Sequence, residues 1–228
     1  MRRGLRHAAC AGLVLVGLGG CAPNADSPLA RDPSRTDAAA PRALLGEWHR
    51  SLVTGQKDRY LACFAGSQDE LVLMLAMFEA VQAGYAFHDA VVRAYGEEAW
   101  TLFESGEGTR IDLFPRDAAW PRKISVVRMG QAAFGYLPRG RVPLHLSGAG
   151  GAWRVHAASL VPPGFEARHA AKYLFRWAAS LRKLVPEIGQ GRVTAEKATK
   201  DVVDDFDAQT PAAQRPEAAA AVEFMLAQ

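Results

Sequence analysis

His145 in RVPLHLS and His156 in AWRVHAA invite a chemical reading first. Strict alternation puts both imidazoles on one face of neighbouring strands, with Arg154 between them. Two imidazoles could ligate a metal. A catalytic zinc takes three protein ligands, however, and an arginine beside it repels the ion. No metal and no cofactor is therefore expected. Asp112 in RIDLF and Asp117 in PRDAAW are the candidate acids. General acid–base work needs such a group in a desolvated pocket within reach of substrate, and a solvated loop carboxylate is the commoner fate. Tyr85 and Tyr136 are candidate oxyanion donors, against the ordinary role of core tyrosines with satisfied hydroxyls. Cys63 in RYLACFAG has no local His or helix N-terminus to lower its pKa, which predicts a buried structural thiol. His49 and His88-Asp89 fall on helices, where adjacent side chains point apart, so no dyad is expected. The GAGG at 148–151 joins two strands, whereas a phosphate loop leads from strand into helix. There is no G-x-S-x-G, no H-E-x-x-H and no Cys pair. No catalytic residue is assigned.

The elements that must position these residues are legible in the apolar spacing. Leu45, Trp48 and Leu52 recur at helical intervals, and Gly55 ends that helix. A second short helix carries Tyr60, Leu61 and Phe64. Ser67-Gln68-Asp69-Glu70 matches a capping box. The helix it opens runs to Tyr95 and stops at Gly96, with apolar residues on several sides. A shorter helix, from Glu97 to Phe103, holds Trp100. After Pro121 the period changes to two. KISVVR, AAFGYLP, RVPLHLS and AWRVHAASLV are separated by MGQ, RG and GAGG, which predicts an antiparallel meander. Matching the apolar faces sets Leu146 opposite Trp153 and Leu144 opposite Val155. Helices return with Tyr173, Trp177, Leu181 and Leu184, then a helix capped by Thr194, then one opened by Pro216. Arg168, Lys172 and Arg176 form a basic helix face, and Asp201, Asp204 and Asp205 an acidic one. They predict two mutually compensating helices, with an anionic lipid or protein as the other partner for the basic side.

The N-terminus carries an address. Arg2, Arg3 and Arg6 precede an uncharged run, Ala8 to Gly20, that is shorter than the roughly 20 residues a spanning helix needs. Leu18-Gly19-Gly20-Cys21 resembles the bacterial lipobox. That resemblance implies a secretory signal over 1–20, cleavage between Gly20 and Cys21, and a diacylglycerol on the Cys21 sulfur. Two or more acyl chains anchor a protein stably. Ala22, in place of an Asp, favours the periplasmic side of the outer membrane. Residues 21–41 read as a flexible tether.

Charge and cysteine content follow from that address. The chain holds 27 basic and 24 acidic side chains. Removing the three leader arginines balances them, which excludes nucleic acid as a general partner. Of three cysteines, only Cys63 stays in the folded part, so no internal disulfide can form.

The order of helices followed by a meander ending in G-x-W-R-V resembles the nuclear transport factor 2-like superfamily of ketosteroid isomerases and SnoaL-type cyclases. The matching stretches are EWHRSLVTGQKDRYLACFAG, ISVVRMGQAAF and LHLSGAGGAWRV, within residues 42–161. The resemblance implies an α+β cone, with N-terminal helices packed on a curved four-stranded antiparallel sheet around an apolar pocket. Such a pocket would be lined by Tyr85, Trp100, Phe134, Leu144 and Trp153, with Asp112 or Asp117 at its mouth. Residues 162–228 are then an added helical extension. Enzymes of the superfamily place an acid inside, whereas the inward strand positions here are Val, Leu, Trp and Ala. The expectation is thus a membrane-tethered envelope protein that binds an apolar small molecule or another envelope protein. An isomerase- or cyclase-like enzyme and a dimerisation module are the alternatives.

Overall fold

A capping box starts the longest element of the fold. Glu70 accepts from the Ser67 amide at 2.7 Å, while the Ser67 hydroxyl accepts from the Glu70 amide at 3.4 Å. The computed structural model describes residues 39–105, 114–138, 140, 142–149 and 152–226. All belong to one of two units into which the chain divides, Ser34–Gln228, the other being Met1–Pro33. Helix α1 spans Ala39–Val53 and α2 spans Lys57–Ala62. Strand β1 is Phe64–Ala65, and α3 is Gln68–Tyr95. Helix α4 covers Glu97–Ser105. Four strands follow, β2 (Ser125–Met129), β3 (Ala132–Tyr136), β4 (Leu144–Ala149) and β5 (Ala152–His156). The chain ends in α5 (Ala167–Gly189), α6 (Ala195–Ala208) and α7 (Arg215–Leu226).

Helix α3 is apolar and long enough to cross a bilayer by composition, yet it is the core helix of this unit. Leu73, Met74, Ala76, Met77, Phe78, Ala80 and Val81 are all buried along it. Helix α5 packs along α3. Small buried residues, Ala76, Ala80, Ala83 and Gly84 on α3 and Ala170, Ala171 and Ala178 on α5, permit close approach of two helix axes. At the other end of the core, Trp48 makes T-shaped contacts with Phe64, Phe114 and Trp120 at 6.2, 5.7 and 6.2 Å between centroids. That cluster joins α1, β1 and the segment entering the sheet.

The sheet corrects the fold expected from the family resemblance. It has five strands in the order β1-β5-β4-β3-β2, with β1 parallel to β5 and the rest antiparallel. The architecture is α+β, with helices at both ends of the chain flanking a mixed sheet. It is not a cone. Closure requires staggered, tilted strands that bring the sheet's edges together. Here the terminal strands β1 and β2 are at opposite edges, and every strand is six residues or shorter.

Two local expectations also change. Phe64 lies in β1 rather than in a helix, because the Cys63 carbonyl accepts the Val155 amide at 2.9 Å and draws the chain into the sheet. The β4–β5 register is shifted by two residues: Leu146 pairs with Val155, and Gly148 with Trp153. Ala149 opposite Ala152 makes a tighter hairpin than apolar matching assumed. The same two faces remain, since a shift of two preserves the pleat.

Candidate functional site

Alternation in the meander sorts side chains onto two faces. Ala133, Leu144, Leu146 and Val155 are fully buried on the inner one. The outer face carries Val127, Phe134 and His145 in one cross-strand row, and Met129, Ala132, Ser147 and Arg154 in the next. Tyr136 shares it, opposite Ser125. Val127, Met129 and Tyr136 are 51%, 66% and 48% exposed, three of the four most exposed large apolar side chains among the described residues. Strand β2 is also a terminal strand, with one edge unpaired. A hairpin with Met129 opposite Ala132 holds it, and Gly130 supplies the left-handed φ of +66° the turn requires. Arg128 Nε donates to the Gly130 carbonyl at 2.8 Å and braces that turn.

Rings fill the middle of the outer face. His145 stacks on Phe134 at 4.9 Å and 10°, and on His156 at 4.9 Å and 29°. His156 Nε2 shares a 2.7 Å hydrogen bond with the Ser147 hydroxyl. The Ser159 hydroxyl donates to the His156 carbonyl at 2.7 Å and accepts the His145 amide at 3.2 Å. The two histidines thus join a polar-edged aromatic ladder. No group of three or more metal-ligating side chains occurs among the described residues.

The residues expected to line a pocket are not brought together. Tyr85, Trp100 and Leu144 are buried in the core. Phe134 lies on the outer sheet face and Trp153 on the inner one, beside Gly148. The Tyr85 hydroxyl donates to the Phe114 carbonyl at 2.9 Å, and burial raises its pKa. Asp117 is exposed; its carboxylate accepts the Ala119 amide at 2.8 Å and sits 3.6 Å from Lys123. The Ala119 hydrogen bond first, with help from Lys123, holds its pKa below the usual range. Such a group is a poor proton acceptor at neutral pH. Asp112 lies outside the described residues, as do Gly20 and Cys21.

No protein-family model, curated protein or solved structure matches this chain. The resemblance to the nuclear transport factor 2-like superfamily is therefore withdrawn on two grounds, the open mixed sheet and the absence of any match. The lipobox resemblance likewise has no family match behind it.

Three relationships escaped the sequence. His88 Nδ1 lies 2.9 Å from Asp89 Oδ1 despite their adjacency on α3. Arg116 joins them, donating to both Asp89 oxygens at 2.8 and 3.1 Å. The Arg116 hydrogen bond is the main reason the Asp89 pKa is lowered. The basic stripe does not meet the acidic one as expected. Asp205 is engaged by Lys183 and Ser180 of α5, while Asp201 and Asp204 pair with Lys197 and Lys200 of their own helix. The exposed apolar edge was the third. Its signal was SVVRM, five residues without Lys or Pro whose single charge, Arg128, falls on the inner face and leaves the outer one apolar.

Proposed function

We propose that this chain is an exported, lipid-anchored protein of the bacterial cell envelope that works by binding, with the outer face and free edge of its sheet as the binding surface and another envelope protein as partner. The observation that carries this reading is the exposure of Val127 and Met129 on a terminal strand. A terminal strand with exposed apolar side chains offers its free edge for pairing with an extended segment of another chain. Main-chain hydrogen bonds supply affinity in that mode, and alternate side chains supply specificity. Tyr136 and the Phe134–His145–His156 ladder extend the same face with rings, a residue class favoured at interfaces. The leader and LGGC support the address.

Two measurements test the reading. Intact-mass analysis of protein from its own host should find residues 1–20 removed and a diacylglycerol on Cys21. A bare thiol or a retained leader overturns the address. A photo-crosslinker at Met129 in living cells should trap a discrete heterologous protein, lost in a Val127→Lys variant and absent when the probe sits at exposed Ala208. Chain-to-chain adducts alone would make the surface a self-pairing interface and overturn the partner reading.

A further inference from the structure

A cleft of about 430 Å³ opens between α1 and the segment 116–122. Four of its lining residues are arginines: Arg42, Arg50, Arg116 and Arg122. Among the described residues, no acidic side chain lines it. Buried His49 forms part of the wall, its ring stacked on Trp120 at 5.5 Å and its Nε2 2.8 Å from the Pro115 carbonyl. The remaining wall includes apolar Val53 and Pro121.

The four cations are not equivalent. Arg50 is paired with Glu47 at 2.7 Å. Arg116 is held by both oxygens of Asp89 and lies over the Tyr85 ring at 4.2 Å. Those two are locally neutralised. Among the described residues Arg42 reaches only the Ile124 carbonyl, at 3.4 Å, a marginal contact. The Arg122 side chain has no hydrogen bond or ion pair among the described residues. The nearby carboxylate of Asp117 is committed to Lys123 and the Ala119 amide. Among the described residues, two positive charges are therefore left without a partner of opposite sign.

We propose that this cleft binds a phosphate monoester, its dianion taken by Arg42 and Arg122 and its organic group lying against the apolar wall. Guanidinium forks match phosphate oxygens geometrically. A monoester carries about two negative charges near neutrality, which balances two free guanidiniums, whereas a diester carries one. The volume lies in the range of small-molecule sites, roughly 300–1,000 Å³, and exceeds what a bare ion needs. The monoester is either a soluble metabolite or the headgroup of an acidic lipid, and both present the same dianion.

Calorimetric titration of the full-length protein in neutral detergent tests this. The ligands are glycerol 3-phosphate, short-chain phosphatidic acid, and short-chain phosphatidylglycerol as the diester. Saturable binding of at least one monoester is expected, with phosphatidylglycerol about tenfold weaker or silent. The tighter monoester names the source. The Arg42→Gln/Arg122→Gln variant should bind that monoester at least tenfold more weakly at an unchanged melting temperature, while Arg93→Gln, outside the cleft, binds as the parent does. Silence from both monoesters, equal binding of the diester, or an unaltered affinity in the double variant would overturn the proposal.

Discussion

The Trp153 indole covers Gly148 so closely that a Cβ added there would stand 2.8 Å from ring carbon Cε2. The two residues are opposite each other in the β4–β5 pair. Arg128 of β2 lies over the same indole at 5.2 Å, so the ring is also held from across the sheet. Glycine is required at this position for space, within a strand where it would otherwise weaken pairing.

Gly148→Ala should therefore destabilise the protein by about 1–3 kcal/mol, the usual cost of overpacking. Chemical denaturation reads the loss as a lowered midpoint at an unchanged slope. Adding Trp153→Leu to Gly148→Ala should recover part of it, since the smaller side chain vacates the contested volume. A fully additive double variant would show that the ring is not the obstacle.

Leu146 is fully buried on the inner face, between Ala133 and Val155. Leu146→Ala should cost about 2–5 kcal/mol through lost burial and an unfilled cavity. Val127→Lys, on the outer face, should change stability by less than about 0.5 kcal/mol. The contrast, measured by the same denaturation experiment, checks which face is core.

Asp205 ties α6 to α5, accepting from the Ser180 hydroxyl at 2.9 Å, from Gln209 at 2.6 Å and from Lys183. Burial alone would raise its pKa, but hydrogen bonds from Lys183 and Ser180 outweigh that and leave it lowered. A carboxylate with a depressed folded pKa contributes stability that is fully present above its unfolded value, about 4, and lost as pH falls through the folded one. Asp205→Asn should cost about 1 kcal/mol at pH 7. The gap between parent and variant melting temperatures should close below about pH 4.

The Cys63 thiol is 3% exposed, and its pKa is pushed up to about 11, by burial first and the Glu47 charge second. It should resist alkylation at pH 7 in the native protein and react fully once unfolded. Peptide mass spectrometry at this residue separates it from the other cysteines. Fast native labelling would contradict a purely structural role.

The capping box at Ser67, the stop at Gly96, the cap at Thr194 and the two-faced meander were all readable along the chain. Each depends on neighbours within a few residues, where backbone chemistry and side-chain period leave one local solution. Strand β1 was not readable. Two residues of CFAG become a strand only because β5 offers an unpaired edge some ninety positions later. The β4–β5 register could not be had from apolar matching, because a shift of two keeps every side chain on its own face. Salt-bridge partners behaved likewise, since opposite charges on two helices can pair in several registers until packing selects one. The arginine cleft joins residues 42–50 to residues 116–122, and neither stretch is unusual alone. Period and capping are short-range and were determined by the sequence itself. The open sheet, its register and the meeting of four arginines were decided by burial, which acts between residues the chain order keeps far apart.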